Sequence, residues 1–245
     1  MSKTVILIPS RLSAKRLPGK PLLKINGISI ISQVVRKAKE ADIGDVYVAA
    51  EDKEIIDDVN LNGGKAILTS REHKTGSDRI YECFEKLSLI DIDYIINLQG
   101  DEPNIDSNDL KHLNNLIYFN EPEIGTMAAR IEDKSKLNDE NVVKVITERE
   151  ITNENFPTAL DFKRKINKKI ANIYHHIGIY AFKPQILKKI IKLKQTKNEI
   201  KNKLEQLRAM ENRIKINVAL AKFSPIGVDT MEDYLALKKN LEYKS

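Results

Sequence analysis

The sequence is short of the features that mark several common functional classes. One cysteine, Cys83, stands among 245 residues, so no internal disulfide can form and a reducing cytoplasm is the expected compartment. Cys83 falls beside Phe84 within an apolar helical pattern, which reads as packing rather than nucleophilic duty. No apolar run approaches the roughly 18 residues of a membrane span. The N-terminus lacks the charge, apolar stretch and small-residue cleavage site of a signal peptide, so membrane insertion is not expected. There is no internal repeat and no linker rich in Gly, Ser or Pro. The chain therefore reads as a single domain over 1–245, with a mixed-β subregion at about 120–183. It carries no P-loop, no Gly-x-Gly-x-x-Gly fingerprint, and no obvious Ser/His or Cys/His pair for covalent catalysis.

Charge excludes less at first sight. The formal net charge is +6, which invites a nucleic-acid reading. Lys163, Arg164, Lys165, Lys168 and Lys169 lie together without an acidic residue. That run has no aromatic side chain to stack on a base, so it reads as a solvated loop, and no nucleic-acid partner is expected.

What is present alternates. Val5–Ile8 reads as a buried strand, broken at Pro9, which lacks a backbone donor. Ile30, Ile31, Val34, Val35 and Ala38 recur at helical spacing. Val46–Ala50 is a strand; Ile55, Ile56 and Val59 mark a helix stopped by Gly63-Gly64. Ala66–Leu68 and Tyr94–Leu98 are strands, with a helix through Ile80, Phe84 and Leu87 between them. Leu110, Leu113 and Ile117 continue the alternation. Such order predicts an α/β fold, a mainly parallel sheet with helices on both faces. Farther on, Gly125–Ile131, Val142–Ile146 and Ile173–Phe182 are strand candidates separated by polar segments, read as a small antiparallel dimerisation or lid subregion. Helical patterns cover Ile186–Leu193 and Ile200–Met210. Ile216, Val218 and Leu220 alternate as a strand, and Thr230 with Asp233 forms a capping box for a helix over Met231–Leu241.

Three loops concentrate chemistry. After the first strand, Arg11, Arg16 and Lys20 surround a Pro18-Gly19 turn. A basic loop beyond the carboxyl end of a parallel strand suits a polyanion, and a nucleoside triphosphate is the natural candidate. Gln99-Gly100-Asp101-Glu102-Pro103 ends the Tyr94–Leu98 strand. A carboxylate there can hold Mg²⁺, which prefers oxygen ligands and keeps water and phosphate in its shell; a polar turn is the alternative. Asp229 either supports the last helix through its dipole or joins Asp101 as a second ligand. His73 to Arg79 leads small and hydroxyl residues into a helix whose first-turn N–H groups can meet ligand atoms; the alternative is Ser77 as an N-cap with Arg79 paired to an acid. On the Ile173–Phe182 strand, His176, Gly178 and Tyr180 share one face by period two, with His175 on the other. Glu205, Gln206 and Arg208 sit on one helical segment.

Together these segments closely resemble the 3-deoxy-manno-octulosonate (Kdo) cytidylyltransferases. The resemblance runs in order through IPSRLSAKRLPGKPL, HKTGSDRI, NLQGDEP, NVVKV, HHIGIYAF, LEQLR and GVDTMEDYL, and spans nearly the whole chain. It implies a Rossmann-like nucleotidyltransferase fold, a homodimer, and Mg²⁺-dependent transfer of CMP from CTP to Kdo for lipopolysaccharide biosynthesis. By position it assigns Arg11, Arg16, Lys20, Gly76, Ser77 and Gln99 to the nucleotide. Arg79, His176, Tyr180, Glu205 and Gln206 fall to the sugar acid, with Arg208 supporting its helix. Lys20, Asp101 and Asp229 become catalytic, the two aspartates as metal ligands. The competing readings are a cytidylyltransferase for another acidic sugar, such as an 8-amino Kdo relative or a sialic acid, and a catalytically weak homologue acting as a binding subunit.

One segment departs from the family pattern. Where the family carries Ser-Arg-x-x-Ile-Pro, this chain has Thr152 to Pro157, with Asn153 in place of the arginine. Loss of one charge-assisted hydrogen bond costs about 1.5–3 kcal/mol, and Lys163 or Arg164 are the nearby cations that could substitute.

Overall fold

The computed structural model describes residues 3–14, 16–166 and 170–242. Two compact units emerge: one from residues up to 111 together with 225 onward, the other from 112–224. Lys168 and Lys169 of the basic run lie outside the described residues.

The first unit begins with β1 (Thr4–Ser10), a hairpin of β2 (Lys24–Ile25) and β3 (Ile28–Ser29), and α1 (Ile30–Glu40). It continues through β4 (Gly44–Ala50), α2 (Lys53–Leu61), β5 (Ala66–Leu68), α3 (Gly76–Leu87) and β6 (Tyr94–Asn97). Helix α4 (Ser107–Asn120) spans the boundary at 111/112, and the terminal helix Met231–Glu242 belongs to the first unit. The strands run parallel in the order β6-β1-β4-β5. Right-handed crossovers then place α1 and α2 on one face and α3 on the other. The order reverses beside β1, where open α/β sheets form their ligand crevice.

Helix α1 shows how the sequence dictates this packing. Ile30, Ile31, Val34, Val35 and Ala38 are all nearly inaccessible, and each large aliphatic contributes about 1.5–3 kcal/mol by leaving water. Ser29 caps the helix by accepting from the Ser32 amide at 3.2 Å, a contact worth about 1 kcal/mol. A charge at Val34 would break that face.

The strand does not stop at Pro9. β1 runs on to Ser10, with Pro9 opposite Ala49 on β4, whereas its pairing with β6 ends at Leu7 opposite Asn97. The missing proline donor thus falls where the ladder is one-sided, which a sheet tolerates.

The second unit holds β7 (Ile124–Ala129), β8 (Lys144–Thr147), β9 (Ala159–Lys163) and β10 (Ile173–Phe182). Helices α5 (Pro184–Lys192), α6 (Lys197–Asn202) and α7 (Gln206–Glu211) precede β11 (Ile216–Leu220). Strand order is β11-β7-β10-β8-β9; β11 and β7 are parallel and the other pairs antiparallel. Strand β9 has no counterpart in the sequence reading, where its Lys-rich flank masked a short apolar alternation. The helix expected over Ile200–Met210 is two helices, broken at Lys203, whose φ is 54°. Arg164 explains the break: its guanidinium collects the Asn202 carbonyl at 2.7 Å and the Lys203 carbonyl at 3.1 Å. Arg208 then clamps the pieces, donating to Glu199 from Nε at 2.8 Å and again from Nη2. Arg208 does support its helix, as the resemblance implied.

Candidate active site

At the carboxyl ends of β1 and β6, the first unit opens a cavity of about 410 Å³. One wall is the loop after β1. Gly19 sits at φ 72°, a left-handed turn that a side chain would strain, and its amide reaches back to the Leu12 carbonyl at 3.0 Å. The turn delivers Lys20 to the start of a short 3₁₀ segment, Lys20–Leu22, with Leu17 buried beneath. Arg11 and Arg16 are exposed and also line the cavity.

Two carboxylates at the end of β4 fasten this wall. Asp52 accepts from the Leu12 amide at 2.7 Å, and Glu51 accepts from the Ser13 hydroxyl at 3.1 Å. Glu51 also pairs with Arg79, both side chains being almost inaccessible. Arg79 donates further to Thr69 Oγ1 at 2.7 Å and the Ser70 carbonyl at 3.2 Å. Neither acid stood out in the sequence, although adjacent carboxylates closing a parallel strand were the available signal.

The opposite wall is the entry to α3. Thr75, not Ser77, caps this helix, in a reciprocal box with Asp78. Gly76 and Thr75 line the cavity, while Ser77 is buried at the helix start. Arg79 closes the base of the cavity with its guanidinium committed to Glu51, Thr69 and Ser70. His73 also lines it and contacts Glu82. Burial alone would raise the Glu82 carboxyl; Lys86, the Ser70 amide and His73 outweigh it and lower the group to about 2.

Gln99, Gly100 and Asp101 form the floor. A Cβ on Gly100 would lie 3.0 Å from the Pro9 carbonyl oxygen and 3.2 Å from Ile31 Cδ1, so a side chain there would crowd both and need its neighbours to give. Asp229 arrives from far along the sequence. The Val228 amide donates to the Asp101 carbonyl at 3.0 Å, and Val228 is buried among Leu17, Ile25, Ile30 and Leu237. Packing of the terminal helix thereby sets the two aspartates side by side. Thr230 and Asp233 form the expected cap, Thr230 Oγ1 accepting from the Asp233 amide at 3.2 Å.

The cationic wall and the two aspartates meet. Lys20 Nζ lies 2.6 Å from Asp101 Oδ2 and 3.3 Å from Asp229 Oδ1. Arg16 Nη2 lies 2.8 Å from Asp229 Oδ2. The carboxylate oxygens facing Lys20 therefore stand no farther apart than the sum of its two contacts. Among the described residues, no group of three or more His, Cys, Asp or Glu side chains makes a ready metal centre. Two oxygen donors nonetheless suit a hard cation that completes its shell with water and phosphate. Glu102 supplies an independent sign of that fit. Its Oε2 is buried with no hydrogen-bond partner, and burial, then Asp101 and Asp229, push its carboxyl up to about 8 against the opposing effect of Lys20.

The remaining expected residues gather within the second unit. His176 and Tyr180 share a face of β10 across an irregularity between Ile177 and Tyr180, their ring centroids 5.4 Å apart. Thr126 Oγ1 lies 2.7 Å from the Ile179 carbonyl and 3.1 Å from His176 Nε2. The single hydroxyl proton goes to the carbonyl, so His176 Nε2 carries a hydrogen and donates. Burial, with His175 alongside, holds His176 down to about 3, leaving the ring neutral with Nδ1 as its acceptor atom. Enclosure and then Glu205 raise the Tyr180 hydroxyl well above its ordinary value. Glu205 and Gln206, half-buried, open α7. Asn153 is exposed in a turn closed by Thr152 and Asn155. Of its proposed substitutes, Arg164 is spent on backbone carbonyls and Lys163 pairs with Asp161 at 3.0 Å.

Comparison with known proteins agrees with this layout. A family model described as cytidylyltransferase matches residues 5–216. A 3-deoxy-manno-octulosonate cytidylyltransferase of Afipia carboxidovorans is 41% identical, the match covering 97% of this chain and 96% of that protein. One from Thermodesulfovibrio yellowstonii is 38% identical over 97% and 98% of the two chains. The solved structure of a CMP:2-keto-3-deoxy-manno-octonic acid synthetase complexed with CTP superposes with a TM-score of 0.90, at 32% identity and complete coverage of both chains. The α/β architecture is thus that of a known fold, and the chain belongs to the cytidylyltransferase family.

Proposed function

We propose that the protein transfers CMP from CTP to 3-deoxy-manno-octulosonate, releasing pyrophosphate. The convergence of Lys20, Asp101 and Asp229 at one point of the cavity carries this reading, and the names of the relatives supply the nucleotide and the sugar acid. Arg11, Arg16 and Lys20 bind the triphosphate, and Gly76 and Gln99 border the nucleotide. His176, Tyr180, Glu205 and Gln206 receive the sugar acid, with neutral His176 accepting at Nδ1. Arg79 acts from beneath, as the brace between both walls of the cavity.

The anomeric hydroxyl attacks the α-phosphorus, and the bond to the departing pyrophosphate breaks on the opposite side. Such a transfer needs alignment and charge stabilisation more than a covalent nucleophile. Lys20 and the loop arginines offset charge growing on pyrophosphate. Asp101 and Asp229 would hold Mg²⁺, which when bound neutralises the α-phosphate and acidifies the attacking hydroxyl. The reading extends to a cytoplasmic homodimer that activates the sugar for lipopolysaccharide biosynthesis. Among the described residues no helix is long and apolar enough to cross a membrane.

Pyrophosphate release from CTP, measured over a panel of 3-deoxy ulosonic acids and sialic acid, tests the substrate. Highest kcat/KM on 3-deoxy-manno-octulosonate is expected. Asp101→Asn should lower turnover by more than about a hundredfold while the thermal transition persists. Near-normal turnover in that variant would remove the aspartate from catalysis.

A further inference from the structure

We propose that this pocket accepts its divalent cation together with the nucleotide, and that Lys20 keeps the free cation out until phosphate draws the ammonium away. The inference rests on the metal-assisted reading above and specifies the form in which that site takes its ligand.

In this structure the expected phosphate ligands and the expected metal ligands are paired with each other. Lys20 touches both aspartates, at 2.6 and 3.3 Å, and Arg16 holds the second oxygen of Asp229 at 2.8 Å. The four charges cancel. The Lys20 side chain is only 12% exposed, so water screens these contacts less than it would at an open surface. Mg²⁺ held by both carboxylates would need their oxygens at about 2.0–2.1 Å, and Lys20 Nζ stands between those oxygens. Arriving alone, the ion must break two charge-assisted contacts and leave an ammonium stranded against like charge.

A triphosphate changes the balance. It offers Lys20 and Arg16 new anionic partners at the moment the carboxylates turn to the cation, so neither set is left uncompensated. Lys20 can make the exchange without moving its loop. Its backbone is held, its amide donating to the Leu17 carbonyl at 3.2 Å and its carbonyl accepting from the Leu23 amide at 3.2 Å. The four-carbon stem carries the ammonium as a mobile point charge. The lysine is then a counter-ion in the free protein and a phosphate ligand in the loaded one.

The experiment titrates Mn²⁺ into the full chain without nucleotide, reading free ion by electron paramagnetic resonance. Lys20→Met should bind Mn²⁺ at least about tenfold more tightly than the unaltered protein, the lower bound for one released charge-assisted hydrogen bond. Lys20→Arg, which retains the cation, should not. Adding Asp101→Asn to Lys20→Met should abolish the gained site. Lys20→Gln serves in place of Lys20→Met if the latter loses its thermal transition. If removal of Lys20 leaves Mn²⁺ affinity unchanged at a site that Asp101→Asn still eliminates, exclusion by lysine is refuted and the metal assignment stands. If Asp101→Asn has no effect on Mn²⁺ in either background, the metal reading fails and this inference falls with it.

Discussion

Removing the guanidinium of Arg79 tests how the cavity is built. Arg79 and Glu51 are 4% and 8% exposed at their side chains, and Arg79→Met leaves the Glu51 carboxylate, among the described residues, with the Ser13 hydroxyl as its side-chain partner. Deleting one member of a buried ion pair typically costs about 3–5 kcal/mol, because the survivor keeps its desolvation penalty without its counter-charge. For a chain of this length each kcal/mol shifts the melting temperature by about 2–4 °C, so a fall of about 6–20 °C is expected. The double variant Glu51→Gln with Arg79→Met removes both charges and should recover a large part of that loss. Differential scanning calorimetry on the unaltered protein, Arg79→Met, Glu51→Gln and the double variant gives the coupling directly. Steady-state kinetics on the same set separates bracing from substrate contact: a brace predicts that KM for the sugar acid improves as stability returns. A melting temperature within about 3 °C of the unaltered protein for Arg79→Met, corresponding to about 1 kcal/mol, would refute the buried-pair reasoning. A KM that stays raised in the stabilised double variant would instead return Arg79 to the substrate.

Two further expectations follow from titrating groups. Glu82 is lowered from its ordinary value to about 2, so its contribution to stability is present above pH 4.5 and disappears as pH falls toward 2; the melting-temperature gap between the unaltered protein and Glu82→Gln should hold steady above about pH 5 and narrow below about pH 4.5, and a gap that stays constant down to the lowest pH at which both fold would contradict it. Cys83 is buried and its thiol is pushed up to about 12, chiefly by desolvation; it should resist a thiol reagent in the folded protein at pH 8 and react fully in denaturant, whereas rapid labelling of folded protein would show that α3 opens.

Much of this architecture was legible from residue order alone. Ala66–Leu68, Ile173–Phe182 and the start of α1 at Ile30 stand where apolar periodicity put them, because burial of one face is a local, repeating demand on the sequence. The motifs likewise singled out Lys20, Asp101 and Asp229, which the fold brings together in one cavity. Other features depended on partners distant in sequence. Ser77 looked like a cap until the fold gave that place to Thr75. The single helix over Ile200–Met210 is divided because Arg164 captures carbonyls at its midpoint, an event that periodicity cannot register. Glu51 and Asp52 acquire their importance only when β4 ends beneath the loop after β1.

Residue order alone dictates the alternation of strands and helices, the buried faces and the stock of charged side chains offered to the crevice. These follow from covalent neighbours and from a hydrophobic effect that acts residue by residue. Tertiary structure decided which of those charges meet. Asp101 and Asp229 become neighbours through a backbone bond from Val228 and the packing of the terminal helix, and Lys20 joins them through a turn that glycine alone allows without strain. Electrostatic energy depends on separation in space, and only the folded chain sets that separation.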